Sequence, residues 1–298
     1  MRAQIVVVGS CNLDLVVGVD HVPQVGETVM GSDVQRYPGG KGANQAVAAA
    51  RLGCRVAMVG RVGDDEAGAL LREALEADGV DTSALLTTPG VPSGTALIAV
   101  QDDGDNAIVV SPGANARVSP QDVAIPVVAE AELVLMQGEV PIEAVLEAAR
   151  VAAGRVIWNP APAPTEVPLE LLDQVDIVVP NQTELAQLTG HRGPIDPETA
   201  IGLARRLPSS AVVVTLGADG ALVVVDEDAV HVTAPRVTPV DTTAAGDAFC
   251  GALATGLATD DDLVAAVKWA CRVGAAATLR RGAQPSLPTA AEVEALVG

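Results

Sequence analysis

Asp241-Thr242-Thr243-Ala244-Ala245-Gly246-Asp247 is the stretch whose residue types and spacing are best suited to chemistry. A β-rich run, Val237 to Val240, is expected to feed it, and an Ala-rich helical run, Ala248 to Ala258, follows. Ala244, Ala245 and Gly246 are small enough to let the backbone turn tightly and leave its N–H groups uncovered where a helix begins. Such a start offers unpaired donors and a partial positive charge, which suits a phosphate group. Asp247 beside an anion cradle has the chemistry to take a proton from a hydroxyl that is being phosphorylated. Read in isolation, Asp247 is equally an acidic residue favoured by the dipole of a helix N-terminus.

Other segments carry polar groups in patterns that serve either structure or binding. Asn12 and Asp14, two apart in a predicted strand, point to one face and together match vicinal hydroxyls, or form a solvated polar face. Gly39-Gly40-Lys41-Gly42-Ala43-Asn44 reads as a glycine-rich turn with a helix cap, or as a backbone closing on a small polar ligand with Lys41 and Asn44 as donors. It lacks the P-loop spacing, and the dinucleotide fingerprint fails at Gln45. Asn181-Gln182-Thr183-Glu184 has the form of a capping box, and it also places two polar groups at a strand's C-terminal end, where α/β ligands bind. Thr215-Leu216-Gly217 leads from a strand to Gly220, and Arg280 to Ser286 forms a loop after a long helix. His21, His191 and His231 have no nucleophile elbow to work with.

Positioning these groups requires a scaffold. The chain has 298 residues, 49% hydrophobic and 1% aromatic, so its core is built from Val, Leu, Ile and Ala. That composition suits a parallel sheet covered by Ala-rich helices. Strands are predicted over Gln4–Val8, Leu13–Val19, Arg55–Val59, Leu133–Met136, Arg155–Trp158, Ile177–Val179 and Ala211–Thr215. Helices are predicted over Ala43–Leu52, Glu66–Ala77, Ile142–Ala152, Pro197–Arg206, Ala245–Ala258, Asp261–Arg280 and Thr289–Val297, with another starting near Asn181. Thr95–Val100 and Ala107–Val110 flank Asp102-Asp103-Gly104-Asp105-Asn106 as a hairpin, and Ala221–Val225 with Ala229–Val232 as a second. The alternation predicts one α/β domain over residues 1–298, a doubly wound, mainly parallel sheet with a small β appendage. A net charge of −20 excludes nucleic acid and anionic membranes as general partners. The four cysteines (Cys11, Cys54, Cys250 and Cys271) lack zinc or disulfide spacing. With no leader-like or membrane-spanning run, the expected location is the cytoplasm.

In their joint order, Asn12-Leu13-Asp14, Gly39 to Ala48, Asn159-Pro160-Ala161-Pro162, Asn181 to Glu184 and Asp241 to Asp247 resemble the ribokinase family of carbohydrate kinases, from about Gln4 to Pro288. The Gly39–Gln45 segment and Gly282-Ala283-Gln284-Pro285-Ser286 resemble its ribose-phosphorylating members more than its fructokinases and adenosine kinases. The resemblance implies a three-layer αβα fold with a β lid from segments about 12–20, 33–38 and 94–111, which doubles as a homodimer contact. It implies ATP-dependent phosphorylation of D-ribose at the 5-hydroxyl, with Mg²⁺ and K⁺. Asn12, Asp14, Gly40, Lys41, Asn44 and Glu139 would hold the sugar. Asp247 would be the base, and the Ala244, Ala245 and Gly246 backbone the anion hole. Asn181, Thr215, Gly217, Ala218, Gly220, Gly246 and Cys271 would contact ATP, with Glu184 on the Mg²⁺ side through water. Cys271 departs from the His or Asn common there. Asp241, Thr243, Ala277, Arg280, Gly282 and Ser286 match the family's K⁺ loop. Alternatives are a relative acting on deoxyribose, fructose or a nucleoside, and a catalytically silent sugar-binding protein.

Overall fold

The computed structural model describes residues 4–101, 106–259 and 262–297. The predicted Asp102–Asp105 turn and Asp261 lie outside the described residues. The strands are β1 (Ile5–Val8), β2 (Asn12–Val19), β3 (Gln35–Gly39), β4 (Val56–Gly63), β5 (Leu85–Thr88), β6 (Gly94–Gln101), β7 (Asn106–Ser111), β8 (Leu133–Met136), β9 (Arg155–Trp158), β10 (Ile177–Val178), β11 (Ala211–Thr215), β12 (Ala221–Val225) and β13 (Asp228–Val232). The helices are α1 (Lys41–Arg51), α2 (Glu66–Ala77), α3 (Pro120–Val123), α4 (Pro126–Ala129), α5 (Ile142–Val151), α6 (Leu169–Leu172), α7 (Gln182–Thr189), α8 (Pro197–Ala204), α9 (Ala245–Ala258), α10 (Leu263–Ala277) and α11 (Ala290–Val297).

Nine strands form one sheet in the order β13-β12-β11-β10-β9-β8-β1-β4-β5. It is parallel from β11 to β5, and β12 and β13 add an antiparallel edge hairpin. Successive side chains on a strand point to opposite faces, so both faces need cover. Ile5, Val7, Leu133, Leu135 and Ile157 pack on one face against residues of α1, α9 and α10. Val6, Val8, Val134, Met136 and Trp158 pack on the other against residues of α5 and α8. The result is the expected three-layer α/β fold. A second sheet, β3-β2-β6-β7, is built from the segments that follow β1 and β5. Its Leu97, Ile108, Val109 and Val110 are exposed.

One close contact controls how the site is assembled. Helices α1 and α9 pack side by side through small residues. A Cβ added at Gly251 of α9 would lie 2.6 Å from Ala48 Cβ and 2.9 Å from the Gln45 carbonyl oxygen. Nothing larger than glycine fits there without moving one helix. At the start of α1, Gly40 holds φ at 89°, and a Cβ would meet the Asn12 nitrogen at 2.7 Å. Glycine tolerates both the left-handed backbone and the approach.

Several expectations are corrected. Val237–Val240 is not a strand: Pro235 and Pro239 have no N–H to give a ladder. Val240 and Asp241 donate instead to the Thr278 carbonyl, at 2.8 and 3.1 Å. Helix α1 begins at Lys41, two residues before the predicted Ala43, because Gly40 supplies the cap. Helix α10 ends at Ala277, before Arg280, where Thr278 folds its hydroxyl back onto the Ala275 carbonyl. β5, α3, α4 and α6 have four residues each, too few to display a period.

The packing leads to paired substitutions of opposite sign. Gly251→Ala is expected to destabilise the fold by about 1–2 kcal/mol, because overpacking outweighs alanine's helix propensity. Gly202→Ala on α8, where an added Cβ meets nothing within 4 Å, is expected to stabilise it by about 0.5–1 kcal/mol. Urea unfolding of both variants checks the pair.

Candidate active site

Chain crossings from β1, β8, β9, β10 and β11 deliver polar residues to the C-terminal edge of the sheet, where α1 and α9 both begin. Asp247, in the first turn of α9, is 6% exposed. Asn44 Nδ2 donates to its Oδ2 at 2.9 Å, and Gln45 Nε2 donates to its Oδ1 at 3.0 Å. Gln45 Nε2 also reaches Asn159 Oδ1 at 3.0 Å. Gln137 Nε2 donates to Gln45 Oε1 at 2.7 Å. Asn44 Oδ1 is buried with no protein partner, an acceptor that a ligand hydroxyl could satisfy.

Beside Asp247 lies a second acidic group. Glu139 Oε2 accepts from Ser10 Oγ at 2.5 Å and from the Lys41 N–H at 3.0 Å, so it caps α1 in place of a side chain from the preceding turn. Asn12 and Asp14 are buried, at 3% and 9% exposure, so the alternative of a solvated face does not hold. Asn115 Nδ2 donates to Asn12 Oδ1 at 2.8 Å and ties Asn12 to the loop before α3. Burial pushes the Asp14 carboxyl up to about 7, and Glu139 and Asp247 add to the shift. The Asp247 carboxylate raises the Lys41 ammonium above its ordinary value; burial opposes this, and Glu139 and Glu184 reinforce it. The cluster therefore offers a firmly charged ammonium among carboxylates, with amide donors and acceptors around it. That donor set matches a polyhydroxylated ligand.

Across the start of α9 is a cavity of about 350 Å³. Thr215, Gly217, Ala218, Gly220, Gly246 and Cys271 all line it. Asn181 is not among its lining residues, but it pairs with Thr215 in a parallel bridge. Asn181 and Glu184 form the capping box of α7, each donating its N–H to the other's side chain at 2.8 Å. Burial raises the Glu184 carboxyl; the Asn181 N–H and Lys41 pull it back, and Asp247 pushes it up. Burial holds the Cys271 thiol up at about 11, so it is a neutral apolar wall. Cys11, Cys54 and Cys250 are also free and buried.

The turn before α9 is more constrained than its small residues suggest. Ala244 sits at φ 58°, a strained conformation for a residue with a Cβ. The Ala245 N–H donates to the Thr242 carbonyl at 3.2 Å, so it is not uncovered as expected. Asp241 Oδ1 accepts from the Thr243 N–H at 2.8 Å, and Oδ2 from the Gly282 N–H at 2.9 Å. Burial pushes Asp241 up, but the bonds from Thr243 and Gly282 outweigh it and hold the carboxyl below its usual range. The structure thus joins Asp241 and Thr243 to the 277–286 segment. Arg280 turns away to pair with Glu292 at 2.6 Å, and Ser286 Oγ donates to the Ala283 carbonyl at 2.8 Å.

The family model for pfkB family carbohydrate kinases matches residues 2–290. The chain belongs to this family. It is 41% identical to a ribokinase of Bacillus subtilis, over 98% of this chain and 99% of that one. It is 37% identical to a deoxyribokinase of Salmonella typhi, over 96% and 95%. The solved Arabidopsis thaliana ribokinase, complexed with ribose and ATP, superposes with a TM-score of 0.91 at 33% identity, covering 100% of this chain and 99% of that one. Ser10, Gln45, Asn115, Gln137 and Asn159 had no role in the sequence reading. Gln45 and Asn159 stood inside motifs singled out there; Ser10, Asn115 and Gln137 meet the site only through the fold.

Asp14 yields a pH prediction. Its reference value in an unfolded chain is about 3.9. Between there and about 7 the folded chain keeps a proton that the unfolded chain releases. The associated stability is present below the unfolded value and is lost as pH rises through the folded one. Urea unfolding from about pH 5 to about pH 8 is expected to show a larger loss of stability in the wild type than in Asp14→Asn.

Proposed function

We propose that this chain transfers the γ-phosphoryl group of ATP to the 5-hydroxyl of D-ribose, with Asp247 as general base. The observation that carries the reading is the placement of Asp247. It is a buried carboxylate held by two amides of α1, with the Asn12, Asp14, Lys41 and Glu139 cluster on one side and Gly246, at the wall of the large cavity, on the other. Full-length similarity to ribokinases supports the choice of sugar.

In this reading Asn12, Asp14, Gly40, Lys41, Asn44 and Glu139 hold ribose, and the orphan Asn44 Oδ1 accepts from one of its hydroxyls. Thr215, Gly217, Ala218, Gly220, Gly246 and Cys271 enclose ATP, with Asn181 beside them. The sugar oxygen forms a bond to the γ-phosphorus as the bond to the departing ADP breaks, and the hydroxyl proton passes to Asp247. The start of α9 faces the developing charge, with the Gly246 N–H free where the Ala245 N–H is tied to Thr242. The Lys41 ammonium adds positive charge nearby.

Mg²⁺, when bound, neutralises phosphate charge; Glu184 has one oxygen in the α7 capping box and the other to offer it through water. The ionised Asp241, with Thr243, Ala277, Arg280, Gly282 and Ser286, suits K⁺, mostly through carbonyl oxygens, and that ion would brace the turn carrying Gly246. Residues 1–298 act as one unit in which the β3-β2-β6-β7 sheet is a lid over the sugar, and its exposed apolar face joins a second copy. Among the described residues no helix is long and apolar enough to cross a membrane. Four free buried thiols suit a reducing cytoplasm.

An ATP-coupled panel of ribose, deoxyribose, fructose and adenosine tests the substrate. Ribose is expected to turn over fastest; faster deoxyribose turnover would favour the activity named for the Salmonella relative. Asp247→Asn is expected to lower kcat by about 10²–10⁴-fold while ribose still binds by calorimetry. K⁺ in place of Na⁺ is expected to raise the rate, and equal rates would remove the cation from the account.

A further inference from the structure

Three buried amides stand behind Asp247 in a core otherwise made of Val, Ala and Leu. Gln45 and Gln137 are fully buried, and Asn159 is nearly so. Gln137 donates to Gln45, Gln45 donates to both Asp247 and Asn159, and Asn159 Nδ2 donates to the Val179 carbonyl at 2.8 Å. The direction of this chain is forced. Turning the Gln45 amide over would press its carbonyl against both the Asp247 carboxylate and the Asn159 oxygen. Asn159, anchored on the Val179 carbonyl, thus dictates which end of Gln45 faces Asp247, and Gln137 donates to the Gln45 carbonyl on the other side.

A carboxylate needs such a constraint. The final torsion of an aspartate is broad and roughly two-fold, so backbone placement alone does not set the plane of the carboxyl group. Asn44 holds Oδ2, but Asn44 belongs to the sugar-facing cluster and has its own carbonyl to satisfy there. Gln45 holds Oδ1 from the protein interior, independent of the ligand. We infer that Gln45, oriented by Gln137 and Asn159, is a positioning residue that fixes the carboxylate plane of Asp247 for proton acceptance. This rests on Asp247 being the base.

The test compares Gln45→Met, Gln137→Met and the double variant, with Asp247→Asn alongside. Misplacing a reacting group by about 1 Å can reduce rate about 10²-fold. Gln45→Met is therefore expected to lower kcat by about 10–100-fold while the ribose Kd, by calorimetry, changes less than about 3-fold. Gln137→Met is expected to have a smaller effect of the same kind. The double variant is expected to be no slower than Gln45→Met, because Gln137 acts only through Gln45. A merely structural role would lower Tm without separating kcat from binding. Should Gln45→Met fail to fold, Gln137→Met carries the test: a wild-type kcat there overturns the inference. So does a Gln45→Met enzyme with wild-type kcat, one altered in Kd alone, or a double variant whose losses multiply. If Asp247→Asn keeps its turnover, the base reading itself has failed, and that outcome is distinct from all of these.

Discussion

The close approach of α1 and α9 is the constraint on which the site depends. Gly251 and Ala48 let the two helix backbones come together. Only at that separation can the short amides of Asn44 and Gln45 reach a carboxylate in the first turn of the other helix. The far end of α1 is fixed as firmly. Arg51 grips Asp78 with two hydrogen bonds, at 2.7 and 2.9 Å, and donates to the carbonyls of Gln284 and Leu287, at 2.7 and 2.8 Å. One helix therefore holds Asp247 at its start and the loop that follows Gly282 at its end. That loop returns to the turn before α9 through the Gly282 N–H on Asp241. A shift of α1 would disturb the candidate base and its supporting turn together.

Charge is concentrated unevenly on a chain of net charge −20. Asp14, Glu139, Glu184 and Asp247 crowd around one ammonium, Lys41. Burial, with Glu139 and Asp247 adding to it, pushes the Asp14 carboxyl up, and Asp247 helps keep Lys41 charged. The start of α9 contributes the complementary partial positive charge where its turn meets the cavity. In the proposed reading, a negatively charged surface and a phosphate-binding site are compatible because the positive elements at the start of α9 act locally and over a short range.

Much of this was legible in the sequence because it obeys period and punctuation. Alternating strand and helix runs gave the layered sheet, and Asn181 with Glu184 formed the capping box that their spacing specifies. Asn12, Asp14, Lys41, Asn44 and Asp247 stood out by residue type and joint order, and the fold brings them together. What could not be read was set by contacts between distant residues. Gln137 looks like an ordinary strand exit until β8 carries it to α1. Ser10 and Asn115 gain meaning only once Glu139 and Asn12 are placed against them. The Val237–Val240 run failed because hydrophobicity suggests a strand while Pro235 before it and Pro239 within it remove the donors. The pairing of the Ala245 N–H with Thr242 is a matter of backbone geometry that small residues permit but do not announce.

The central claim is that α1 holds Asp247 where it meets the sugar hydroxyl to be phosphorylated. A crystal structure with ribose and a non-transferable ATP analogue tests it most directly. The account predicts the ribose 5-hydroxyl oxygen within about 2.6–3.2 Å of an Asp247 carboxylate oxygen, with the Gln45 bond to that carboxylate intact and the terminal phosphate facing the Gly246 N–H. A sugar bound with its 5-hydroxyl turned away from Asp247, or a carboxylate released from Gln45, would contradict it.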